Sequence, residues 1–356
     1  MPDQSPDLSD ALASLVGSID TAAWAARALA DGSFDTVWTE ASRSPQGLTE
    51  LLNGIPLLND ADFRAGNFYS SKKPGVRAVV SGDFNGDGKN DLLVDNPRQG
   101  HVTPLWGNGD DTFARGEDLL VGRGIVSMAA AHLNNDGRLD FVTANEFVDS
   151  ISVMRNQGSG DWDRVDFLVG DRPTDIAVGD LNGDGRPDIA VSVGGANQVV
   201  VFFQQANGSF VKQALNSAFG AAGIAIGDVD GDLLPDLVTT SPDAHSVVIH
   251  RGLGGGAFDT PVSIASELAP QDIALGDING DGRADLIVSY PGDGRIGILY
   301  GLSGGRFTRA QQVVAGTQPD ELRLADLDGD GRLDIVVNNI GSDSAMAILN
   351  RFDPSN

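Results

Sequence analysis

Nine-residue acidic loops recur along this chain at a spacing that few folds accommodate. Aligned on their first residue they begin at Asp83, His132, Asp180, Asp228, Asp277 and Asp326, 48 or 49 residues apart. So regular a period identifies a repeat architecture before any local assignment is made. Every unit has the same internal order. An apolar run leads into the loop ("DIALGD", Asp272 to Asp277) and a second leaves it ("DLIVS", Asp285 to Ser289). After a short polar turn comes a third run ("RIGILYG", Arg295 to Gly301), then a glycine-rich turn ending in an aromatic ("GGRF", Gly304 to Phe307), then a polar fourth run. These short stretches, rich in Val, Ile and Leu and bounded by Gly, Asp, Asn and Pro, read as β-strands. Four antiparallel strands per unit predict an all-β fold, a β-propeller with one blade per repeat. The recurring aromatics Phe113, Trp162, Phe210, Phe258 and Phe307 are expected to pack between blades.

The ends of the chain bear on the blade count. The last unit stops after the strands "LDIVVNN" and "AMAILNRF". The segment Asp31 to Ser42 ("DGSFDTVWTEAS") is similar to the fourth-strand segment Gly255 to Ser266 ("GGAFDTPVSIAS"), so it is expected to complete the last blade and close the ring. Residues Gly54 to Ser71 read as the third and fourth strands of a reduced blade without a loop, which favours seven blades; six blades with an insertion is the alternative. Apolar residues at Leu8, Leu12, Leu15, Ile19, Ala23, Ala26 and Leu29 predict an amphipathic helix. The expected organisation is therefore a helical segment over 1–32 packed on a propeller over 33–356.

Composition narrows the function. The formal charge of −26 argues against nucleic acid as a partner. No cysteine is present, which excludes disulfides and thiol chemistry. No stretch of 18 apolar residues offers a transmembrane helix. The acidic N-terminus ("MPDQSPDLSDALASLVG") lacks the basic region of a secretory signal, and a mature form after signal removal reads the same. The six loops hold 19 of the 50 acidic residues, so much of the charge is concentrated in tight turns where carboxylates repel one another.

A divalent cation would relieve that repulsion. Calcium takes six to eight oxygen ligands, and alternate residues of a tight loop can converge on it. In "DLNGDGRPD" the oxygens come from Asp180, Asn182 and Asp184 at positions 1, 3 and 5, the carbonyl of Arg186 at position 7, and Asp188 at position 9. The corresponding sets are Asp83, Asn85, Asp87, Lys89 and Asp91 in the first loop, and Asn134, Asp136 and Asp140 in the second. They are Asp228, Asp230, Asp232 and Asp236 in the fourth and Asp277, Asn279, Asp281, Arg283 and Asp285 in the fifth. The sixth offers Asp326, Asp328, Asp330, Arg332 and Asp334. The spacing DxDxDGxxD between strands, repeated in register from about Val76 to Phe352, resembles the FG-GAP/VCBS family of calcium-bearing propellers, which includes integrin α-subunit propellers and propeller lectins. The resemblance implies up to six structural calcium ions. Two loops depart from the pattern. His132 replaces the first Asp, and Leu233 stands where the turn glycine belongs, a position expected to need positive φ. Loops one, three, five and six are accordingly expected to bind best.

Because each loop joins a first to a second strand, all six lie on one face, and variable hairpins occupy the other. The hairpin residues with distinctive chemistry are Arg98, His101, Trp106, Glu146, His245, Tyr290 and Arg295. Trp106 and Tyr290 are candidate sugar platforms. The leading expectation is a calcium-stabilised recognition module binding carbohydrate or a protein partner through this face or through clefts between blades. Two alternatives stand beside it: an enzyme of lyase or cyclase type, with His245 or His101 as base and Arg98, Arg295 or Tyr290 stabilising charge, and a purely structural or adhesion ring. Loops suited to extracellular calcium levels favour a secreted or surface location over the cytoplasm.

Overall fold

The computed structural model describes residues 77–351 apart from Pro97, Asp111, Asn135 and Asp343. Each repeat forms one main antiparallel sheet whose strands pair mostly in chain order, and the fifth adds a short two-stranded ribbon, Gly301–Leu302 with Arg306–Phe307. In the third blade the innermost strand Pro173–Gly179 pairs with Asp188–Val193, then Gln198–Gln204, then the outermost Phe210–Asn216. The other innermost strands are Val79–Gly82, Ile125–Ala131, Ile224–Gly227, Ile273–Gly276 and Pro319–Ala325. Residues at or beside all six surround one central cavity of about 110 Å³. Among the described residues the blades therefore number six, not the seven favoured by the sequence, and the sixth has three strands. The proposed helix within 1–32, the closing strand 31–42 and the reduced blade 54–71 all lie outside the described residues.

Burial explains why the strand runs read as continuously apolar. The second strands Asp140–Asn145, Asp188–Val193, Asp236–Ser241 and Asp285–Tyr290 are buried at every position. A strand covered on both faces has no reason to alternate. The outermost strand Asp161–Leu168, by contrast, largely alternates exposed and half-buried residues. Apolar clusters fill the joints between consecutive blades: Val142, Ile151 and Val153 of the second blade meet Ile189, Val191 and Phe202 of the third. Four of the recurring aromatics, Trp162, Phe210, Phe258 and Phe307, serve those joints as expected. The Trp162 ring of the second blade lies 5.1 Å from Phe141 and 6.4 Å from Phe84 of the first, and Phe210 of the third lies 5.7 Å from Phe167 of the second. Close packing against the next blade needs a small residue at the end of the inner strand. A β-carbon on Gly82 would sit 2.3 Å from Leu139, and one on Gly276 2.7 Å from Leu324.

The ninth loop residue locks each blade. Asp91, Asp140, Asp188, Asp236, Asp285 and Asp334 are all fully buried. In the third blade Oδ2 of Asp188 accepts from the N–H of Leu181 (3.0 Å) at the start of the loop, and Oδ1 accepts from that of Gln204 (2.8 Å) at the end of the third strand. The same pair of bonds recurs in the other five: to Phe84 and Gly107, Leu133 and Asn156, Val229 and Gly252, Ile278 and Gly301, and Leu327 and Asn350. One carboxylate thus ties a loop to a strand that is not its sequence neighbour. Replacing Asp188 with Ala would orphan two buried N–H groups, a loss of about 2–4 kcal/mol. The expected outcome is a lower urea midpoint; an unchanged midpoint would contradict the role assigned to this residue.

Candidate functional site

Five of the six loops share one hydrogen-bond plan, and the second departs from it at His132. In the third, Oδ1 of Asp180 accepts from the N–H groups of Gly183 (2.8 Å) and Asp184 (3.1 Å), and Oδ2 from that of Gly185 (2.7 Å). Asn182 Oδ1 accepts from Asp184 (2.9 Å), and Asp184 Oδ1 from Arg186 (3.0 Å). The path demands left-handed backbone at positions 4 and 6, with φ of 78° at Gly183 and 82° at Gly185. Leu233 occupies position 6 of the fourth loop at φ 69°, so the expected strain is present, and its side chain is 89 % exposed. In the fourth loop carboxylate oxygens of Asp228, Asp230 and Asp232 lie within 4.8 Å of one another, as do those of Asp326, Asp328 and Asp334 in the sixth. Converging hard oxygen donors of this kind fit calcium.

Arginine at position 7 is a partner that sequence reasoning reduced to its carbonyl. Arg138, Arg186, Arg283 and Arg332 each donate Nε–H to the carbonyl of the residue 18 further on, at 2.8, 3.1, 3.1 and 3.2 Å. Each also pairs through its Nη2 with the position-5 carboxylate of its own loop: Asp136, Asp184, Asp281 and Asp330. The residue at the end of the third strand is therefore held twice, its N–H by the buried aspartate and its carbonyl by the arginine. The first loop has only Lys89, 3.8 Å from Asp87. The fourth has Leu234 at this position, and Asp230 pairs instead with Arg251 at 3.5 Å. In the second loop His132 Nδ1 hydrogen-bonds the carbonyl of Arg138 at 2.8 Å, so that carbonyl is already engaged. Burial pushes Asp140 and Asp188 up to about 6, and the carboxylates of Asp184 and Asp180 add to the effect at Asp188. Burial raises Asp236 and Asp285 likewise, with their loop carboxylates again contributing.

The hairpin candidates are scattered. Arg98 and His245 are exposed, the latter in a turn at φ 48°. Half-buried His101 begins the third strand of the first blade, and its Nδ1 is buried without a hydrogen-bond partner. Trp106 lies on that strand five residues on, about 17 Å away. That places it at the acidic-loop end, packed into the joint of the first two blades, which corrects its assignment to the hairpin face. Glu146 pairs with Arg77 at 3.5 Å. Tyr290 is 2 % exposed and belongs to the core between the fourth and fifth blades, so its ring offers no open platform. Burial raises the pKa of its hydroxyl, which lies 3.4 Å from Ser266 Oγ. Exposed Arg295 approaches Gln312 Oε1 at 3.5 Å. His101 and His245, the alternative candidate bases, stand on the first and fourth blades.

A cleft of about 450 Å³ opens between the fourth and fifth blades. Its apolar wall comes from Val247, Ile264, Leu299 and Ala310, and its polar groups from Ser266, Glu267, Tyr290, Thr308, Arg309 and Gln312. Glu267 and Arg309 form an ion pair of 2.5 Å at its mouth, with side chains 68 % and 82 % exposed. The cause is local. In the second and third blades the recurring aromatic belongs to the outermost strand, as Trp162 in Asp161–Leu168 and Phe210 in Phe210–Asn216. In the fourth and fifth, the outermost strands Val262–Ala265 and Gln311–Val314 begin four residues past Phe258 and Phe307. Their outer edges are set back, leaving space. Those intervening residues, "DTP" and "TRA", were a legible but unread signal.

A family model described as FG-GAP-like repeat matches residues 83–143, 132–191, 228–288 and 277–337. No curated protein sequence matches the chain. Several solved structures share the fold. An Agrocybe aegerita lectin described by its specific recognition of non-reducing terminal N-acetylglucosamine is 18% identical, with a TM-score of 0.52 over 77% of this chain and 80% of its own. A putative 6-phosphogluconolactonase from Bacteroides fragilis is 16% identical, with a TM-score of 0.58 over 76% and 79%. Hydrazine synthase from Kuenenia stuttgartiensis is 16% identical, with a TM-score of 0.54 over 78% and 84%. Proteins so different in their described roles show that the likeness is one of fold.

The strain at Leu233 is directly testable. Leu233→Gly removes a β-carbon from left-handed backbone and is expected to raise stability by about 1 kcal/mol. A urea titration would read this as a higher midpoint; a lower midpoint would refute the strain.

Proposed function

The chain belongs to the FG-GAP-like repeat family, and from that footing we propose that it is a calcium-stabilised recognition module that binds carbohydrate in the cleft between its fourth and fifth blades. The observation that carries this reading is the cleft itself. It combines an apolar wall with amide, hydroxyl, carboxylate and guanidinium groups, the mixture that a sugar ring with one apolar face and a polar rim requires. An exposed ion pair contributes little stability, so Arg309 and Glu267 are free to exchange one another for a ligand. The lectin neighbour is consistent with such a role on this fold. A catalytic role has less support, because neither candidate base, His101 or His245, lines the cleft.

Calcium would be held by positions 1, 3, 5 and 9 and the carbonyl at 7. When bound it neutralises the loop carboxylates and cross-links strand connections. The fourth loop gains most: it has four aspartates and no arginine of its own. This revises the ranking expected from the glycine pattern alone. The second loop, with its position-7 carbonyl taken by His132, gains least. Saturation of such loops fits an extracellular setting.

Two measurements test the reading separately. Each calcium site at a hundredfold excess over Kd adds about 2.7 kcal/mol, so Tm is expected to rise in millimolar calcium and fall in chelator. An unchanged Tm would refute the calcium part. A glycan array in millimolar calcium is expected to give specific binding that Arg309→Ala weakens about tenfold, as loss of one charged hydrogen bond implies. Binding that survives this substitution, or a protein ligand in place of a glycan, would refute the assignment of the cleft.

A further inference from the structure

The third residue of the acidic loop divides the six into two classes. It is asparagine in four, Asn85, Asn134, Asn182 and Asn279, and aspartate in the fourth and sixth, Asp230 and Asp328. Each of these aspartates adds a charge to a loop whose first, fifth and ninth residues are already acidic. In the same two blades an arginine near the end of the third strand pairs with that extra carboxylate: Arg251 with Asp230 at 3.5 Å, and Arg351 with Asp328 at 2.6 Å. In the second blade Arg155 holds the place equivalent to Arg251. The loop there has Asn134, and Arg155 pairs with Asp163 instead, at 3.9 Å. The extra acid and its arginine thus occur together.

The two arginines differ in their grip. Arg351 is committed to its loop: Nη1 lies 2.6 Å from Asp328 Oδ2 and 3.4 Å from Asp330 Oδ2, and the Asp328 side chain is only 8 % exposed. Arg332 also pairs with Asp330, so two guanidinium groups serve this loop. Arg251 is shared with the next blade. Its Nη2 donates to the carbonyls of Gly304 (3.2 Å) and Gly305 (3.4 Å), and its Nε stands off from Asp230. An ion pair with one exposed partner adds little stability. Beside a cation site it has a second effect, because the guanidinium repels any ion that uses the same carboxylate.

On the reading that these loops hold calcium, we propose that Arg351 is a tethered counter-cation of the sixth loop. It neutralises Asp328 in the absence of metal, and a divalent cation must displace it to use that carboxylate. The displaced guanidinium, already 43 % exposed, passes into solvent. The sixth loop therefore fills at higher calcium than the third and fifth, whose third residues are the uncharged Asn182 and Asn279. The fourth loop, its arginine held off by the fifth blade, is the more receptive of the two acid-rich loops. This revises the place of the sixth loop among the best binders, which its glycine pattern implied.

The test titrates calcium into the chelator-treated full chain and follows backbone amide signals. Gly329 and Gly331 report on the sixth loop, Gly183 and Gly185 on the third. In the parent the sixth loop is expected to respond at higher calcium than the third. Arg351→Gln should shift the sixth-loop midpoint about tenfold lower, the scale of removing one nearby like charge, and leave the third loop unchanged. Arg351→Lys, which keeps the charge, should stay close to the parent. In an Asp328→Asn background, Arg351→Gln should have no further effect. If the third loop responds to calcium but the sixth-loop midpoint is the same in parent and Arg351→Gln, the counter-cation is refuted and the calcium reading stands. If no loop amide responds to millimolar calcium, the calcium reading fails and takes the counter-cation with it.

Discussion

Everything in this fold hangs on a buried carboxylate that accepts two N–H groups from segments far apart in sequence. Asp188 joins the start of its loop to the end of the third strand, 16 residues away, and five other aspartates do the same in their blades. A tight loop between strands leaves buried N–H groups with no sheet partner. A side chain that supplies both acceptors satisfies them at once. The residue is an ion in a dry place, with its pKa raised by burial at Asp188 and Asp140. Its hydrogen bonds are charge-assisted, and removing them would leave donors stranded.

The rest of each loop answers a problem which that aspartate helps to create. Two to four carboxylates lie close together, and their repulsion must be offset. The chain shows one device directly: an arginine at position 7 that pairs with the position-5 carboxylate and fastens the loop to the third strand. Where the arginine is replaced, by Lys89 or Leu234, the loop loses that fastening. The six loops are thus chemically distinct despite their common outline. A cation would matter most where the chain provides the least of its own positive charge.

Repetition makes the blades alike, and departures from it create places for a ligand. The cleft between the fourth and fifth blades exists because two outermost strands begin late, at Val262 and Gln311. Three of the channel's six equivalent positions are acidic: Asp175, Asp272 and Glu321. Neither feature follows from the repeat itself, and each is a deviation at one or two residues.

The sequence by itself determined the repeat, the strands within it, the all-β propeller class and the loops that join first to second strands. Those properties are local: short apolar runs, glycines at left-handed positions and acids at alternate places are read within a few residues of each other. It also anticipated the strain at Leu233, because φ is a property of one residue in one turn. Tertiary structure alone decided the rest. Trp106 and Tyr290 read as surface aromatics beside polar turns, but the neighbouring blade covers one and buries the other. The two hydrogen bonds of each ninth aspartate reach back to the loop and across to the end of the third strand, 16 residues on, a contact that the acidic motif alone does not reveal. The cleft and the channel arise where separate blades meet, and contacts between blades depend on how sheets stack, which periodicity along the chain does not record.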